Sequence, residues 1–357
     1  MEVSKKLVWQ NYNKEIATDN YYYLRSCIRQ NFFPAAEKTF IDILRNKLGV
    51  NIYDDASHTT CAGIGYHSDI VQFDTLQTIA ARHFSLMTEH GLRNAAVSCI
   101  TSFGIYTEIL ETWKHFPEQL AKAREMLYKA TKREFDLPEN LAHASDIVYK
   151  FRNEINGMAQ YRLINKETGR PLKIVDHIGC HYAKMFPEKG VGGAEFPQVL
   201  TGMITAWGGQ PVDYPERRHC CGFGFRNYLV RNNRAYSLSH SKKKLESMSP
   251  YRPDAIIANC PGCAMFLDKW QFTVAQMEGT VYGGSANGIP VLTYEELAGL
   301  LLGYKPWELG LQMHQVDIEP LLDKIGIEYN PSTKYAGVNG KDIGRPDFSG
   351  CLKLAVK

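Results

Sequence analysis

The stretch Asp254-Ala-Ile-Ile-Ala-Asn-Cys260-Pro-Gly-Cys263 joins a short apolar run to two cysteines. A continuous apolar run of this length is typical of a strand buried in a parallel sheet, and the Pro-Gly that follows is typical of the turn that ends it. The strand therefore delivers Cys260 and Cys263 at its carboxyl end. Because ligands of α/β folds collect at the carboxyl ends of parallel strands, these cysteines are candidate ligands.

Two earlier stretches have the same order of apolar run and cysteine. Leu172-Lys-Ile-Val175 leads through Asp176-His-Ile-Gly to Cys180, and Pro211-Val-Asp-Tyr214 precedes the adjacent pair Cys220 and Cys221. Strands that alternate with helices predict a parallel sheet with helices on its faces. The predicted helices lie at about 196–207 and 231–248, and a last strand at 289–293 is followed by a helix at 294–302.

The first half of the chain repeats this order in reduced form. Predicted strands at 21–24, 50–53 and 95–99 each lead to one cysteine, namely Cys27, Cys61 and Cys99. Helical patterns at 34–48 and 71–90 separate them. The sequence therefore predicts an α/β fold of two pseudo-repeated domains, each a small parallel sheet flanked by helices, with cysteines at the C-terminal ends of the strands. An internal duplication is the simplest account.

The predicted organisation has four parts. Residues 104–160 have a helical pattern broken at Pro117 and Pro138, and turn composition follows at 165–169. Residues 306–325 predict one more helix. After Gly326 the chain is rich in Gly and Pro without apolar periodicity, so we expect an arm, which contains Cys351. The predicted parts are an N-terminal degenerate cysteine-rich domain at 1–103, a helical connection at 104–170, a complete C-terminal cysteine-rich domain at 171–325 and the arm at 326–357.

Charge and hydropathy argue against several classes of partner. The 357 residues include 41 Lys and Arg against 38 Asp and Glu, a nearly balanced mixture that gives no reason to expect a nucleic acid or an anionic membrane surface. The one basic run, Lys242 to Lys244, is interpreted as a solvated helix face. With no secretion signal and no apolar stretch long enough to span a membrane, we expect a cytoplasmic protein, with attachment to a membrane through a partner left open.

Five of the nine cysteines lie between Cys180 and Cys263. Cysteines of a cytoplasmic protein are more often ligands, catalysts or buried residues than disulfides. A single tetrahedral zinc would leave one of the five thiolates over, whereas an iron–sulfur cluster takes cysteine sulfur as its usual ligand. This pattern indicates a redox function.

Several neighbours of these cysteines are candidates for support. His181 and His219 each adjoin a proposed ligand, so either could donate a hydrogen bond to cluster sulfur or move a proton, and His177 is a weaker candidate. Lys184 and Arg226 could offset negative charge. Because no dinucleotide-binding glycine motif is found, flavin or nicotinamide chemistry is expected to belong to a partner.

The order of a lone Cys180, then Cys220-Cys221-Gly222, then Cys260-Pro-Gly-Cys263 resembles the cysteine-rich domain of the B-type subunits of heterodisulfide reductases. The resemblance covers roughly residues 20–325. It implies that the five cysteines hold a noncubane [4Fe-4S] cluster, which would be the reaction centre for cleaving or forming a disulfide, with substrate sulfur bound to iron.

The N-terminal half departs from that pattern. Ala62 stands where the second cysteine of the pair should be, and Ser102 stands where the last cysteine should be. Cys27, Cys61 and Cys99 remain. Two interpretations stay open: a second iron–sulfur cluster of unknown type, completed by His58, His67 or a serine oxygen, or a half without metal.

The combination of one complete and one reduced cysteine motif is similar to that of the B2-type subunit of the heterodisulfide reductase-like complex of sulfur-oxidising organisms. It implies an oxidoreductase subunit that handles thiol/disulfide groups or lipoyl-bound sulfane sulfur. The expected partners are an iron–sulfur C-type subunit, a flavoprotein A-type subunit and a lipoate-binding protein. The alternatives are a subunit that reduces the CoM-S-S-CoB type of heterodisulfide, an electron-transfer subunit of a lactate or glycolate oxidase, and a zinc-binding structural or assembly subunit.

Overall fold

Two four-stranded parallel sheets, one in each half of the chain, form the framework of the protein. The computed structural model describes residues 15–58, 63–67, 70–192, 197–224, 233–283 and 288–329. The strands of the first sheet are β1 (Tyr21–Leu24), β2 (Ile52–Tyr53), β3 (Asn94–Val97) and β4 (Asn140–His143). They lie in the order β2-β1-β3-β4, with every neighbouring pair parallel.

The second sheet has the same topology. Its strands are β5 (Lys173–His177), β6 (Gln210–Pro211), β7 (Ala255–Ala258) and β8 (Val291–Thr293), in the order β6-β5-β7-β8. The registers also correspond, since Leu24 pairs with Val97 in the first sheet and His177 pairs with Ala258 in the second. The predicted α/β fold with two repeated parallel sheets is confirmed.

Helices cover the faces of both sheets and join them into one continuous core. In the first half these are α1 (Cys27–Phe32), α2 (Pro34–Asp42, continuing as a π-helical turn over Ile43–Lys47), α3 (Ile64–His67), α4 (Phe73–Glu89), α5 (Ile100–His115), α6 (Pro117–Thr131), α7 (Ala144–Lys150) and α8 (Arg152–Met158). In the second half they are α9 (Val199–Ala206), α10 (Asn233–Met248), α11 (Pro261–Glu278), α12 (Tyr294–Leu301) and α13 (Glu319–Ile325).

The helical interpretation of residues 104–160 is wrong at β4. Helix α6 ends at Lys132, whose φ of 61° is left-handed, and Asn140–His143 then pairs with β3 as the fourth strand of the first sheet. The run is too short for sequence periodicity to reveal, and its pairing is with a distant strand. The domain boundaries remain a prediction, but this part of the connection belongs to the first sheet.

The single helix predicted over 306–325 is also wrong. Gly310, at a φ of +74°, precedes a 3₁₀ turn at Leu311–Met313, and only Glu319–Ile325 is α-helical. A left-handed residue ends any α-helix that reaches it, which explains the break. Residues 330–357, which hold most of the predicted arm and Cys351, lie outside the described residues.

Candidate functional site

The carboxyl ends of three strands in the second sheet deliver the five predicted cysteines. Cys180 follows β5 and precedes a π-helical turn at His181–Met185, and Cys220 and Cys221 lie between β6 and α10. Cys260 is the N-cap of α11 and Cys263 lies in its first turn. The fold therefore brings together residues from three separate segments, as the strand-then-cysteine order predicted.

The five sulfurs form one continuous group of contacts. The Sγ atoms of Cys221 and Cys263 are 3.2 Å apart, and the Cys263 amide donates to Cys260 Sγ at 3.4 Å. Cys220 contacts both Cys180 and Cys221 through side-chain hydrogen bonds. All five are thiols rather than disulfides, and Cys221, Cys260 and Cys263 are buried. Five converging soft donors without a disulfide suit a metal cluster and exceed the needs of one zinc.

Hydrogen bonds among these thiols shift their pKa values in opposite directions. Hydrogen bonds from Cys180 and then from Cys221 lower the pKa of Cys220 to about 2. Burial opposes ionisation of Cys260, but the hydrogen bond from the Cys263 side chain, those from the backbone of Cys263 and Gly262 and the charge of Arg29 together outweigh it and lower the pKa of Cys260. The pKa of Cys180 is raised by its hydrogen bond to the Cys220 thiolate. Only some of the five sulfurs can therefore ionise alone, whereas bound cations would favour all five thiolates because they replace the shared protons.

Two close approaches hold the cysteine loops in place. Gly222 has a φ of +93°, and a Cβ there would lie 2.2 Å from the carbonyl oxygen of Ser237 in α10. The Ser237 hydroxyl donates to the Gly222 carbonyl at 2.7 Å, and Ser241 donates to the carbonyl of Cys221. A Cβ at Gly179 would lie 3.2 Å from the Cβ of Cys260. Both glycines are needed for the cysteine-bearing loops to pack this closely.

Lys244 was missed as a residue of this site, because it belongs to the basic run interpreted as a solvated face. It is fully buried, and its Nζ donates to the Tyr214 hydroxyl at 3.0 Å and to the carbonyls of Glu216 and Arg217. Burial lowers the pKa of Lys244 to about 8. The solvated interpretation is wrong for this residue, which fastens the loop before Cys220. No sequence signal distinguishes it from its two lysine neighbours.

The predicted histidines have different surroundings. His181 Nδ1 lies 3.0 Å from the Thr101 hydroxyl of the first half, and His219 Nε2 lies 2.8 Å from His240 Nδ1. His177, the weaker candidate, is 1% exposed at the end of β5, and its ring nitrogen lies within 4.8 Å of the Sγ atoms of Cys221 and Cys263.

Cys27 and Cys99 occupy positions equivalent to those of cysteines in the second half. Cys27 begins α1, and Cys99 is the N-cap of α5 as Cys260 is of α11. Cys61 and the side chain of His67 lie outside the described residues. His58 is buried with its ring centroid 4.0 Å from that of His83. Within the described part of the chain, the single group of three potential ligand atoms that all lie within 4.8 Å of one another is in the second half, at His177, Cys221 and Cys263, so the second cluster stays a prediction.

The segments after the strand ends of the two halves contact each other. Helix α1 packs on α11, and α5 packs on the π-helical turn after Cys180. A Cβ at Gly104 of α5 would lie 3.4 Å from the Cβ of His181. The first half therefore packs against the turn that follows Cys180 and against the helix that contains Cys263.

A small cleft beside Cys180 has room for little more than one water molecule. Its lining includes the side chains of Lys184, Arg217 and Arg218. Arg217 also forms an ion pair with Asp176 at 2.7 Å, whereas Lys184 and Arg218 are exposed. A molecule that approaches Cys180 from solvent therefore passes the positive charges of Lys184 and Arg218, which attract anionic groups. Arg226, the other cation predicted here, lies outside the described residues.

Residues 174–268 match the family profile of the CCG cysteine-rich domain, which spans all five cysteines. This defines the class of the second half and agrees with the resemblance seen in the sequence.

Over most of its length the chain is similar to the B-type subunits of CoB-CoM heterodisulfide reductases. It is 29% identical over 303 residues to that subunit of the ferredoxin/F(420)H(2)-dependent enzyme from Methanosarcina acetivorans, which covers 84% of this chain and 95% of that protein. A ferredoxin-dependent relative from Methanosarcina mazei is 29% identical, covering 84% and 94%. The resemblance to these subunits is thus confirmed, and the finer B2-type likeness stays a prediction.

Two further similarities are more distant. The membrane anchor subunit of 8-methylmenaquinol:fumarate reductase from Wolinella succinogenes is 28% identical over 152 residues, which is 42% of this chain and 50% of that protein. A crystal structure of a hypothetical protein from Helicobacter pylori shares the fold, with a TM-score of 0.61 at 12% identity over 88% of this chain and 57% of that chain. Among the described residues, no helix is long and apolar enough to cross a membrane.

Proposed function

We propose that the protein is an iron–sulfur redox subunit of a heterodisulfide reductase-like complex, acting on thiol/disulfide groups or lipoyl-bound sulfane sulfur in the cytoplasm. The observation that carries this proposal is the convergence of five thiols from three strand ends into one contact group. A noncubane [4Fe-4S] cluster is the cofactor proposed for them, with Cys180, Cys220, Cys221, Cys260 and Cys263 as its ligands. When bound, it would supply electrons and a soft Lewis acid.

The five cysteines would contact such a centre from two sides. The buried Cys221, Cys260 and Cys263 hold the inner side, and the half-buried Cys180 and Cys220 form the side nearer to solvent. Substrate sulfur is expected to arrive at that outer side, through the cleft next to Cys180. Partner subunits, of the C-type and A-type and a lipoate-binding protein, would exchange electrons and sulfur with it.

Iron and sulfide analysis of anaerobically purified protein tests this proposal. About four irons per chain and broad visible absorbance are expected for one [4Fe-4S] centre. The Cys221→Ala variant should lose or alter the paramagnetic spectrum. A colourless protein with one zinc, retained in Cys221→Ala, would instead establish the zinc-binding structural alternative.

The cations of the cleft favour a second candidate, reduction of a disulfide of the CoM-S-S-CoB type, because small anionic substrates would be attracted there and a lipoyl amide would not. Alkylation of the hydrogen-bonded pair Cys180 and Cys220 in the metal-free protein, where Cys220 carries the thiolate, measures this attraction. We expect the positive charge to raise the rate of reaction with iodoacetate relative to the rate with neutral iodoacetamide. The double variant Lys184→Met, Arg218→Gln should reduce the ratio of the two rates several-fold, whereas Lys129→Met on a distant surface should leave it unchanged. An unchanged ratio removes the argument for the second candidate.

A hydroxy acid oxidase subunit would be recognised by reconstitution. Electron transfer from a lactate- or glycolate-oxidising flavoprotein to the iron–sulfur centre would favour that role over sulfur chemistry.

A further inference from the structure

His177 has a buried imidazole for which the described part of the chain offers no hydrogen-bond partner. It is the last residue of β5 and is 1% exposed. Neither Nδ1 nor Nε2 has a hydrogen-bond partner among the described residues. Buried polar groups are nearly always hydrogen-bonded or bound to a ligand, so this ring indicates an interaction with something other than the polypeptide.

The polar groups around the ring are already engaged. Lys244 directs its three donor hydrogens to the Tyr214 hydroxyl and two backbone carbonyls, and His219 is paired with His240. What lies next to the ring is sulfur: its nitrogen and the Sγ atoms of Cys221 and Cys263 are all within 4.8 Å of one another. Ligands of one tetrahedral ion lie about 2.0–2.3 Å from it, so three donors grouped this closely can share an ion after small side-chain movements.

The two halves of the protein provide an internal comparison. His177 lies three residues before Cys180, and the equivalent residue three before Cys27 is Leu24, buried at the same position of the matching strand. The half that keeps all five cysteines has an imidazole there, and the half that keeps three has an aliphatic side chain. A purely structural strand end needs no histidine, as Leu24 shows.

We propose that His177 would contribute a ring nitrogen as a further ligand of the iron–sulfur centre, beside Cys221 and Cys263, so that this chain would supply five sulfur ligands and one nitrogen ligand. The inference rests on the proposed iron–sulfur function. Histidine is an established iron ligand beside cysteine in iron–sulfur proteins, as the Rieske [2Fe–2S] centres show.

The test is pulsed EPR of the reconstituted full-length protein, labelled with ¹⁵N-histidine and poised in a paramagnetic state. We expect a nitrogen hyperfine coupling large enough for direct ligation, which changes with the isotope. His115→Gln is the control, since that ring is exposed beside Glu111 on α5 and should leave the coupling unchanged. The labelled, unsubstituted protein needs no variant to fold.

Variants separate ligation from a hydrogen bond. His177→Gln and His177→Ala should both lose the coupling and release iron to a chelator on the order of 10-fold faster. Retention of iron in His177→Gln alone, or only a weak coupling in the unsubstituted protein, indicates a hydrogen bond and overturns the inference. Iron-containing protein with no nitrogen coupling overturns the inference by itself, whereas a chain that takes up no iron overturns it together with the proposed function.

Discussion

Gly222→Ala should destabilise the protein at the cysteine pair, and the structure gives the size of the effect. The residue has a φ of +93°, where an L side chain costs about 1–2 kcal/mol. The added Cβ would lie 2.2 Å from the carbonyl oxygen of Ser237, a backbone atom of α10 that cannot move aside alone. Overpacking of this kind costs about 1–3 kcal/mol, so the free energy of unfolding should fall by roughly 2–5 kcal/mol.

Gly224→Ala is the control for this change, because no atom of the described residues lies within 4 Å of a Cβ at Gly224. Thermal unfolding followed by circular dichroism should show a Tm at least several degrees lower for Gly222→Ala than for Gly224→Ala. Reconstituted Gly222→Ala should also contain less iron, since the turn positions Cys220 and Cys221. Equal Tm values and equal iron contents for the two variants would refute the reasoning.

Two further predictions concern buried ion pairs, Arg29 with Glu295 and His314 with Glu296. Arg29 and Glu295 form a fully buried ion pair of 2.6 Å between the two halves. Glu295→Leu leaves the Arg29 charge buried and unpaired, so it should lower the free energy of unfolding by about 3–5 kcal/mol. Lys129→Met on the surface should leave the Tm unchanged, and equal thermal unfolding of the two variants would contradict the prediction. Burial opposes protonation of His314, but Glu296 at 3.1 Å outweighs it and raises its pKa to about 9. The stability from this pair is therefore fully present below pH 6.5 and lost as the pH rises through about 9, a change of about 3 kcal/mol in urea unfolding that His314→Leu should abolish.

Much of the candidate site could be predicted because its signals are local. Each cysteine follows an apolar run, and such a run predicts a buried strand whatever lies around it. The strand ends of a parallel sheet meet at one edge, which is why Cys180, Cys220, Cys221, Cys260 and Cys263 could be expected to converge before any distance was known.

The remaining site residues could not be predicted, because their roles depend on residues distant in sequence. Lys244 resembles its lysine neighbours in sequence and differs only in facing the loop before Cys220. His177 is one of three histidines near the cysteines, and its distance from Cys221 and Cys263 depends on how β5 and β7 pair. The strand at Asn140–His143 is likewise defined by its pairing with β3.

The sequence by itself determined the α/β class, the two repeated units and the cysteines of the complete unit, since apolar periodicity and ligand type are properties of short segments. The tertiary structure decided which groups lie around those cysteines: the buried ring of His177, the buried Lys244 and the first half, which packs against the turn after Cys180. These contacts depend on strand order and helix packing, which bring together residues far apart in the chain. Neither segment's own sequence pattern indicates such a contact.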